Sequence, residues 1–260
     1  MTVPPLTWLY VPADRPDRVE KALASRAHAV IVDLEDGVPA VGKERAREGL
    51  PELLGERREK PVFVRINAGS DADLEVVARL EIDGVFVPKL EHADDVPVGV
   101  RVHALLETAL GLESAFVIAS HPDVRGISLG EGDLRSQTGA LEGGLDWARS
   151  RVVNAAVAAG LPRPPQSVYP HVRDLEGLAA SCRRGRELGH LGRVAIHPDQ
   201  LPVIEQAYLP TTAEVETARE TIDRLDEVAV GTLADGAFVD PAMLGGARQV
   251  LALAERYGTA

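Results

Sequence analysis

Residues 30 to 37 read V-I-V-D-L-E-D-G, an apolar run that closes on three acidic residues within four positions: Asp33, Glu35 and Asp36. A short uninterrupted run of Val and Ile is typical of a parallel strand that is buried on both faces. Carboxylates at the end of such a strand are costly to bury, and no basic residue follows until Lys43. The stretch therefore predicts a buried strand that ends in a pocket shared with a cation and a bound substrate.

Similar short runs recur along the chain, and each is followed by a longer amphipathic segment. The expected strands are 6–11, 29–33, 61–66, 84–88, 101–107, 126–130, 166–169 and 193–197. Intervening segments such as 44–54 and 145–159 have the composition and length of helices. Eight strands that alternate with helices over roughly 250 residues predict an α/β protein with a (β/α)8 TIM barrel.

The alternation stops near residue 197, and the rest of the chain is helical at 213–228 and 241–254, with a turn-like segment between. This tail is too small to be an independent domain. We predict a barrel over residues 1–209 and a C-terminal helical extension over residues 210–260. The extension is expected to pack on the barrel or on a neighbouring subunit.

Charge and composition exclude several classes of protein. The chain has 40 acidic and 28 basic residues and a formal net charge of −12, which disfavours binding to nucleic acid or to an anionic membrane. No segment approaches the ~18 consecutive apolar residues of a membrane span, and the first residues lack the pattern of a signal peptide. The single cysteine, Cys182, cannot form an internal disulfide. We therefore expect a cytoplasmic protein.

Polar residues cluster where the predicted strands end, which is where barrel enzymes place their catalytic groups. They are Asp14, Arg15, Asp33, Glu35, Asp36, Arg65, Asn67, Lys89, Glu91, Glu107, Glu131, Asp133 and His197. Converging carboxylates repel one another unless a counter-ion is present. Oxygen ligands without a Cys or His cluster suit Mg²⁺, which usually takes one or two carboxylates. We predict that Glu107 and Asp133 bind Mg²⁺ and that the D-L-E-D acids hold metal-bound waters.

Structural roles compete for some of these residues. Asp14, which stands before a proline at the predicted start of a helix, suits an N-cap. Arg65 and Lys89 suit ordinary ion pairs with the acids. Glu107 precedes Thr108, itself a good N-cap residue, so capping does not account for Glu107.

Seven motifs occur in the order seen in the citrate lyase beta-subunit family of the HpcH/HpaI aldolase superfamily, and the chain resembles that family over nearly its whole length. The motifs are P-A-D-R-P, V-D-L-E-D-G-V, V-R-I-N, V-P-K-L-E, A-L-L-E-T, G-E-G-D-L and A-I-H-P-D-Q. The resemblance implies a Mg²⁺-dependent barrel that reversibly cleaves a β-hydroxyacyl thioester. The products would be an acetyl thioester and an α-keto acid such as oxaloacetate, pyruvate or glyoxylate.

The resemblance also implies roles for individual residues. Glu107 and Asp133 match the metal ligands, and Glu35 and Asp36 match the acids around the metal waters. Arg65 matches the arginine that stabilises the thioester enolate. Arg15 matches a residue near the substrate or the coenzyme A arm. From their positions at the strand ends, we predict that Arg15, Arg65 and Lys89 bind the substrate.

The C-terminal segment F-V-D-P-A-M-L resembles the one that supplies a catalytic aspartate to the neighbouring subunit in relatives that act on malyl and citramalyl thioesters. This match makes Asp240 the expected base, although Asp240 before a proline is also a good helix N-cap. After strand 7 the chain has His171 where such relatives often have Asp, which leaves the substrate open. An aspartate that acts in trans requires a homo-oligomer, and we expect a trimer or hexamer.

Four functions stay open at the level of sequence. The first is a free-standing thioester lyase or synthase that uses coenzyme A. The second is the beta subunit of a multi-subunit citrate lyase, whose thioester is held by an acyl-carrier protein. The third is an aldolase on free hydroxy-keto acids, and the fourth is a non-catalytic barrel.

Overall fold

The computed structural model describes residues 3–228 and 230–259. These fall into two compact units. One comprises Pro5–Glu205, and the other comprises the residues from Gln206 onward together with Val3 and Pro4.

The first unit alternates strands and helices, as the hydrophobic pattern predicts. Its strands are β1 (Thr7–Pro12), β2 (Ala29–Asp33), β3 (Val62–Arg65), β4 (Gly84–Val87), β5 (Val102–Leu106), β6 (Val124–Leu129) and β7 (Arg193–Ala195). Its helices are α1 (Pro16–Ala24), α2 (Lys43–Leu54), α3 (Asp71–Val77), α4 (Ala109–Glu113), α5 (Ala115–Ala119), α6 (Glu131–Thr138), α7 (Asp146–Ala158) and α8 (Leu175–Glu187). Helix α9 (Leu201–Tyr208) follows β7 in the chain.

The strands form one parallel sheet in the order β6-β5-β4-β3-β2-β1-β7. Consecutive strands along the chain are neighbours from β1 to β6, because each crossover connection returns the chain to the same end of the sheet. These connections contain α-helices except between β4 and β5, where only a 3-10 turn (Ala93–Asp95) occurs. The register places Asp33 directly opposite Arg65 at the ends of β2 and β3. The parallel α/β fold and seven of the expected strands are therefore confirmed.

The sheet is strongly curled, and its inner face is filled by aromatic rings. Strands β1 and β5 are four positions apart, which in a flat sheet would separate them by about 19 Å at the usual strand spacing. The rings of Trp8 in β1 and His103 in β5 are nevertheless only 5.7 Å apart between centroids. Phe86 of β4 packs between them, 5.8 Å from Trp8 and 4.1 Å from His103. Side chains from distant strands thus share one interior.

The segment 166–169 differs from the prediction of a full strand. Only Gln166 pairs with the sheet, through a single parallel bridge to Arg193 of β7. Prolines at 164, 165 and 170 flank the segment, and a proline has no backbone N–H to donate to a ladder. The predicted eighth strand is thus reduced to one bridge beside β7.

The second unit contains the helices expected at the C-terminus, α10 (Thr212–Glu227) and α11 (Leu244–Tyr257). A capping box between Thr211 and Glu214 starts α10. The segment predicted to be only turn-like contains a short antiparallel hairpin of β8 (Gly231–Thr232) and β9 (Phe238–Val239). Among the described residues, no helix has the length and apolar character needed to cross a membrane.

Candidate functional site

A cavity of about 470 Å³ opens at the carboxyl ends of the strands. Asp36, Arg65, Glu107 and Asp133, all predicted from the sequence, line it together with Tyr10. A larger groove of about 1350 Å³ is lined by α1, α2 and residues 58–60, and of the polar strand-end residues named above it contains only Asp14. The curled parallel sheet explains why polar residues that are scattered along the sequence meet at the smaller cavity.

A two-pronged ion pair between Arg65 and Asp33 forms one wall of this cavity. Arg65 Nε donates to Asp33 Oδ1 at 2.7 Å, and Nη2 donates to Oδ2 at 2.6 Å. The same carboxylate accepts the backbone N–H groups of Glu35 at 2.9 Å and Gly37 at 2.8 Å. A side chain at position 37 would place its Cβ only 2.4 Å from Asp33 Oδ2. The D-L-E-D-G loop therefore wraps around Asp33, and Asp33 orients Arg65.

Two further acids of the same loop lie beside Arg65. Glu35 Oε2 is 2.8 Å from Arg65 Nη1, and Glu35 Oε1 accepts a hydrogen bond of 2.8 Å from Lys89 Nζ. Asp36 is mostly exposed, and its carboxylate is 3.8 Å from Arg65 Nη1. Glu35 is thus a buried bridge between two cations, whereas Asp36 faces the opening.

Tyr10 of β1, which no sequence motif singles out, completes the surroundings of the arginine. Its ring lies under the guanidinium, with Arg65 Cζ 4.8 Å from the ring centroid. Burial raises the pKa of the Tyr10 hydroxyl, although the charge of Arg65 opposes the shift. Burial acts to lower the pKa of Arg65, but the hydrogen bonds and charge of Asp33 outweigh it and raise the pKa above the ordinary value. Arg65 is therefore a permanent cation in the cavity wall.

Glu107 is a buried carboxylate at the end of β5. Its Oε1 accepts the backbone N–H of Lys89 at 3.0 Å. Thr108 caps α4 by accepting the N–H of Gly111, so Glu107 has no capping role, as predicted. Burial, with the carboxylates of Glu35 and Asp133, raises the pKa of Glu107 to about 8, despite the opposing charges of Lys89 and Arg65. The positive charges of Lys89 and Arg65 therefore do not offset the effects of burial and of the two neighbouring carboxylates on Glu107.

Asp133 lies in the first turn of α6, exposed to the cavity opening. A second arginine, Arg149 of α7, which no sequence motif singles out, holds Glu131 at the start of this helix. Arg149 Nε and Nη2 donate to the two carboxylate oxygens of Glu131 at 2.9 and 2.7 Å, and Nη2 also donates to Glu142 at 2.7 Å. The sequence does contain a sign of this role, because Arg149 falls on the apolar face of α7 together with Ala148 and Val152, where a charged side chain needs a buried partner.

Several predicted residues do not line the cavity: Glu35 and Lys89 lie behind its wall, in contact with Arg65 and with each other, and three others have different surroundings. Arg15 is exposed and is not among the lining residues, whereas Arg18, one turn further along, is. His171 is exposed, and its ring packs against Tyr169 at 5.6 Å between centroids. Asp240 belongs to the second unit and caps a 3-10 turn, with Oδ1 accepting the N–H of Ala242 at 3.0 Å.

The donors around the cavity fit a hard divalent cation. Within residues 3–228 and 230–259, no group of three or more His, Cys, Asp or Glu side chains has the geometry of a complete metal site. Mg²⁺ commonly uses only one or two carboxylates and leaves its other positions to water and substrate. Glu107 and Asp133 can supply those two, and a cation beside Glu107 would offset the crowding that raises its pKa.

Comparisons with known proteins find similarity to one family over most of the chain. The profile of the HpcH/HpaI aldolase/citrate lyase family matches residues 6–100 and 97–198. A (3S)-malyl-CoA thioesterase of Cereibacter sphaeroides is 34% identical over 275 aligned residues, which cover 95% of this chain and 93% of the relative. A citrate lyase subunit beta-like protein of Mycobacterium tuberculosis is 35% identical and covers 94% and 93%.

The chain is also similar to the crystal structure of CitE from Mycobacterium tuberculosis in complex with magnesium, acetoacetate and coenzyme A. The TM-score is 0.84 at 34% identity, with 96% of this chain and 97% of that chain covered.

Proposed function

Since the chain belongs to the HpcH/HpaI aldolase/citrate lyase family, we propose that it is a magnesium-dependent carbon–carbon lyase of coenzyme A thioesters. Its substrate is a β-hydroxyacyl thioester such as malyl-, citramalyl- or citryl-coenzyme A. Cleavage releases an acetyl thioester and glyoxylate, pyruvate or oxaloacetate, respectively, and the reverse reaction forms the same bond.

The observation that carries this proposal is the meeting of Arg65, Glu107 and Asp133, from three different strand ends, at one cavity. The chemistry needs a cation for the keto acid and a positive group for the oxygen of the thioester enolate. The similar CitE structure contains both magnesium and coenzyme A, which supports the same pairing of ligands here.

Glu107 and Asp133 are the residues that would hold Mg²⁺. When bound there, the ion would act as a Lewis acid toward the carboxylate and carbonyl oxygens of the keto acid. Glu35 and Asp36 would orient the waters of the ion, since both lie next to Arg65 on the same loop.

Arg65 would stabilise the charge that builds on the thioester oxygen when the carbon–carbon bond breaks. Two of the five N–H groups of a guanidinium bind Asp33 in this site, which leaves donors for Glu35 and for a substrate oxygen. Because Asp33 and Tyr10 fix the group before the substrate arrives, little reorganisation is needed during the reaction.

We assign to Asp240 the transfer of the proton at the acetyl carbon. In synthesis its carboxylate would remove that proton, and in cleavage the resulting acid would return it. Capping uses only Oδ1 of Asp240, and Oδ2 has no hydrogen bond within the part of the chain that the structure describes. The Asp240 that serves one cavity would come from a second copy of the chain, so a trimer or hexamer is part of the proposal.

A second candidate function is hydrolysis of the thioester itself. The similarity to a (3S)-malyl-CoA thioesterase favours it. The two reactions differ in their products, because hydrolysis releases the free thiol of coenzyme A and a hydroxy acid, whereas carbon–carbon cleavage releases a keto acid and no thiol.

The test is to incubate the protein with malyl-, citramalyl- and citryl-coenzyme A in the presence of Mg²⁺ or EDTA and to quantify keto acid and free thiol in parallel. Keto acid without thiol, abolished by EDTA, supports the lyase, and thiol without keto acid supports the thioesterase. If the protein binds Mg²⁺ but produces neither, both coenzyme A activities are contradicted. A carrier-bound thioester or a free hydroxy-keto acid would then be tried as substrate.

Two expectations from the sequence also belong to this proposal. One is that the curled sheet is part of a closed (β/α)8 barrel, with residues 166–169 between β6 and β7. The other is a cytoplasmic location.

A further inference from the structure

Lys89, which follows β4, has an unusual backbone conformation. Its φ of +56° is the only positive φ at a non-glycine position among the described residues. An L-residue with a Cβ is strained in this left-handed region, and such strain is concentrated at functional sites. The conformation therefore calls for a functional explanation.

The left-handed turn directs the backbone of Lys89 toward Glu107. The N–H of Lys89 donates to Glu107 Oε1 at 3.0 Å. Glu107 Oε2 has no hydrogen-bond partner among residues 3–228 and 230–259, and a Cβ at Gly130 would lie 2.6 Å from it. One oxygen of Glu107 is thus fixed by Lys89, and the other lies free beside Gly130.

The side chain of Lys89 reaches in another direction. Its Nζ donates to Glu35 Oε1 at 2.8 Å, and Glu35 Oε2 in turn lies 2.8 Å from Arg65 Nη1. One residue therefore contacts Glu107 with its backbone and the acid beside Arg65 with its ammonium group.

We propose that Lys89 is a positioning residue, whose left-handed backbone orients Glu107 for Mg²⁺ while its ammonium group holds Glu35 against Arg65. This inference rests on the proposed function, because it takes Glu107 as a metal ligand. It differs from the substrate-binding role predicted from the sequence, in which the ammonium group itself contacts the keto acid.

The test compares Lys89→Met with Lys89→Ile in the full chain, with Mg²⁺ affinity measured by isothermal titration calorimetry in the absence of substrate. Both variants lose the charge, and their side chains are similar in volume. They differ in branching at Cβ, which makes the left-handed conformation much less accessible to Ile. We expect Lys89→Ile to bind Mg²⁺ at least about tenfold more weakly than Lys89→Met, as is typical when a partner of a metal ligand is lost.

Equal affinities in the two variants would overturn the inference while leaving the metal site intact. Wild-type protein that binds no Mg²⁺ would instead overturn the metal site, and with it the proposed function. Far-UV circular dichroism establishes that each variant is folded.

If Lys89→Ile does not fold, Lys89→Gly and Lys89→Ala make the same comparison, because glycine enters the left-handed region without strain. The glycine variant should bind Mg²⁺ at least as tightly as the alanine variant and unfold at a higher urea concentration. Weaker binding or a lower midpoint for Lys89→Gly would overturn the inference.

Discussion

Asp33 and Arg65, which lie directly opposite each other at the ends of β2 and β3, form a two-pronged ion pair with distances of 2.7 and 2.6 Å. Both side chains are largely buried, with exposed fractions of 5% and 12%. Removing Asp33 would leave the buried guanidinium without its two-pronged partner, although Glu35 remains 2.8 Å from Arg65 Nη1. We therefore expect the pair to stabilise the folded cavity as well as to orient Arg65.

We predict that Asp33→Asn lowers the free energy of unfolding by about 3 kcal/mol, because the remaining guanidinium loses its main counter-charge. The measurement is urea denaturation monitored by circular dichroism. The matched control is Glu75→Gln, which breaks the exposed pair of Glu75 with Arg79 and should cost about 0.5 kcal/mol or less. An equal loss of unfolding free energy in the two variants would show that the Asp33–Arg65 pair stabilises the fold no more than the exposed pair does.

Arg65→Lys separates charge from geometry. A lysine keeps the positive charge but cannot bind both oxygens of Asp33 and also direct N–H groups at a substrate oxygen. We expect kcat to fall by about 10²-fold or more, as on loss of an oxyanion donor, with Mg²⁺ affinity changed by less than about threefold. Steady-state kinetics and calorimetric titration check the two parts. An unchanged kcat would show that Arg65 does not stabilise the transition state.

Gly130 and Gly132 offer a matched pair of glycines within one motif. A Cβ at position 130 would lie 2.4 Å from the Cβ of Glu107, whereas a Cβ at position 132 meets nothing within 4 Å. We predict that Gly130→Ala displaces Glu107 and weakens Mg²⁺ binding by about 10-fold to 100-fold, and that Gly132→Ala leaves it unchanged. Mg²⁺ should accordingly raise the melting temperature of Gly132→Ala by as much as that of the wild type. At the same Mg²⁺ concentration, the increase for Gly130→Ala should be much smaller.

The buried side chain of His103 is expected to make the fold less stable in acid. Burial lowers its pKa from 6.5 to about 3. The unfolded chain therefore binds a proton that the folded chain does not, and stability is lost as pH falls from about 6.5 toward 3. At pH 5 this loss amounts to about 2 kcal/mol relative to pH 8.

We expect His103→Gln to reduce the difference in unfolding free energy between pH 8 and pH 5 by that amount, as measured by urea denaturation at both values. Ser128→Ala is the control, because it removes the 2.5 Å partner of His103 Nε2 but leaves the histidine itself buried. The control should be less stable at both pH values and keep the wild-type difference. A His103→Gln variant with an unchanged difference would contradict the prediction.

The sequence predicted much of the site because parallel strands end at one edge of a sheet. That single topological fact brings Glu107, Asp133, Arg65 and Asp36 to one cavity from distant positions. The topology does not determine which side chains of the helix after a strand turn toward the cavity. Arg15 stands just before α1 and is exposed, while Arg18 reaches the cavity lining.

Contacts between elements were harder to foresee. The support of Arg65 by the Tyr10 ring and of Glu131 by Arg149 depends on side-chain directions across the curled sheet and along α7. A sequence pattern shows that Tyr10 lies in a strand and Arg149 in a helix, but not which partner each meets. The reduced strand at 166–169 had a readable signal in its flanking prolines.

The stacking of Trp8 against Phe86 and His103 has a consequence for synthesis of the chain on the ribosome. Strand β1 leaves the exit tunnel before the other strands of the sheet, yet the rings that cover its tryptophan belong to β4 and β5. Until β4 and β5 have also left the exit tunnel, that indole has no complete set of neighbours and remains accessible to water and to chaperones. During synthesis, β1 therefore exposes an apolar side chain that could aggregate until β5 is available to cover it.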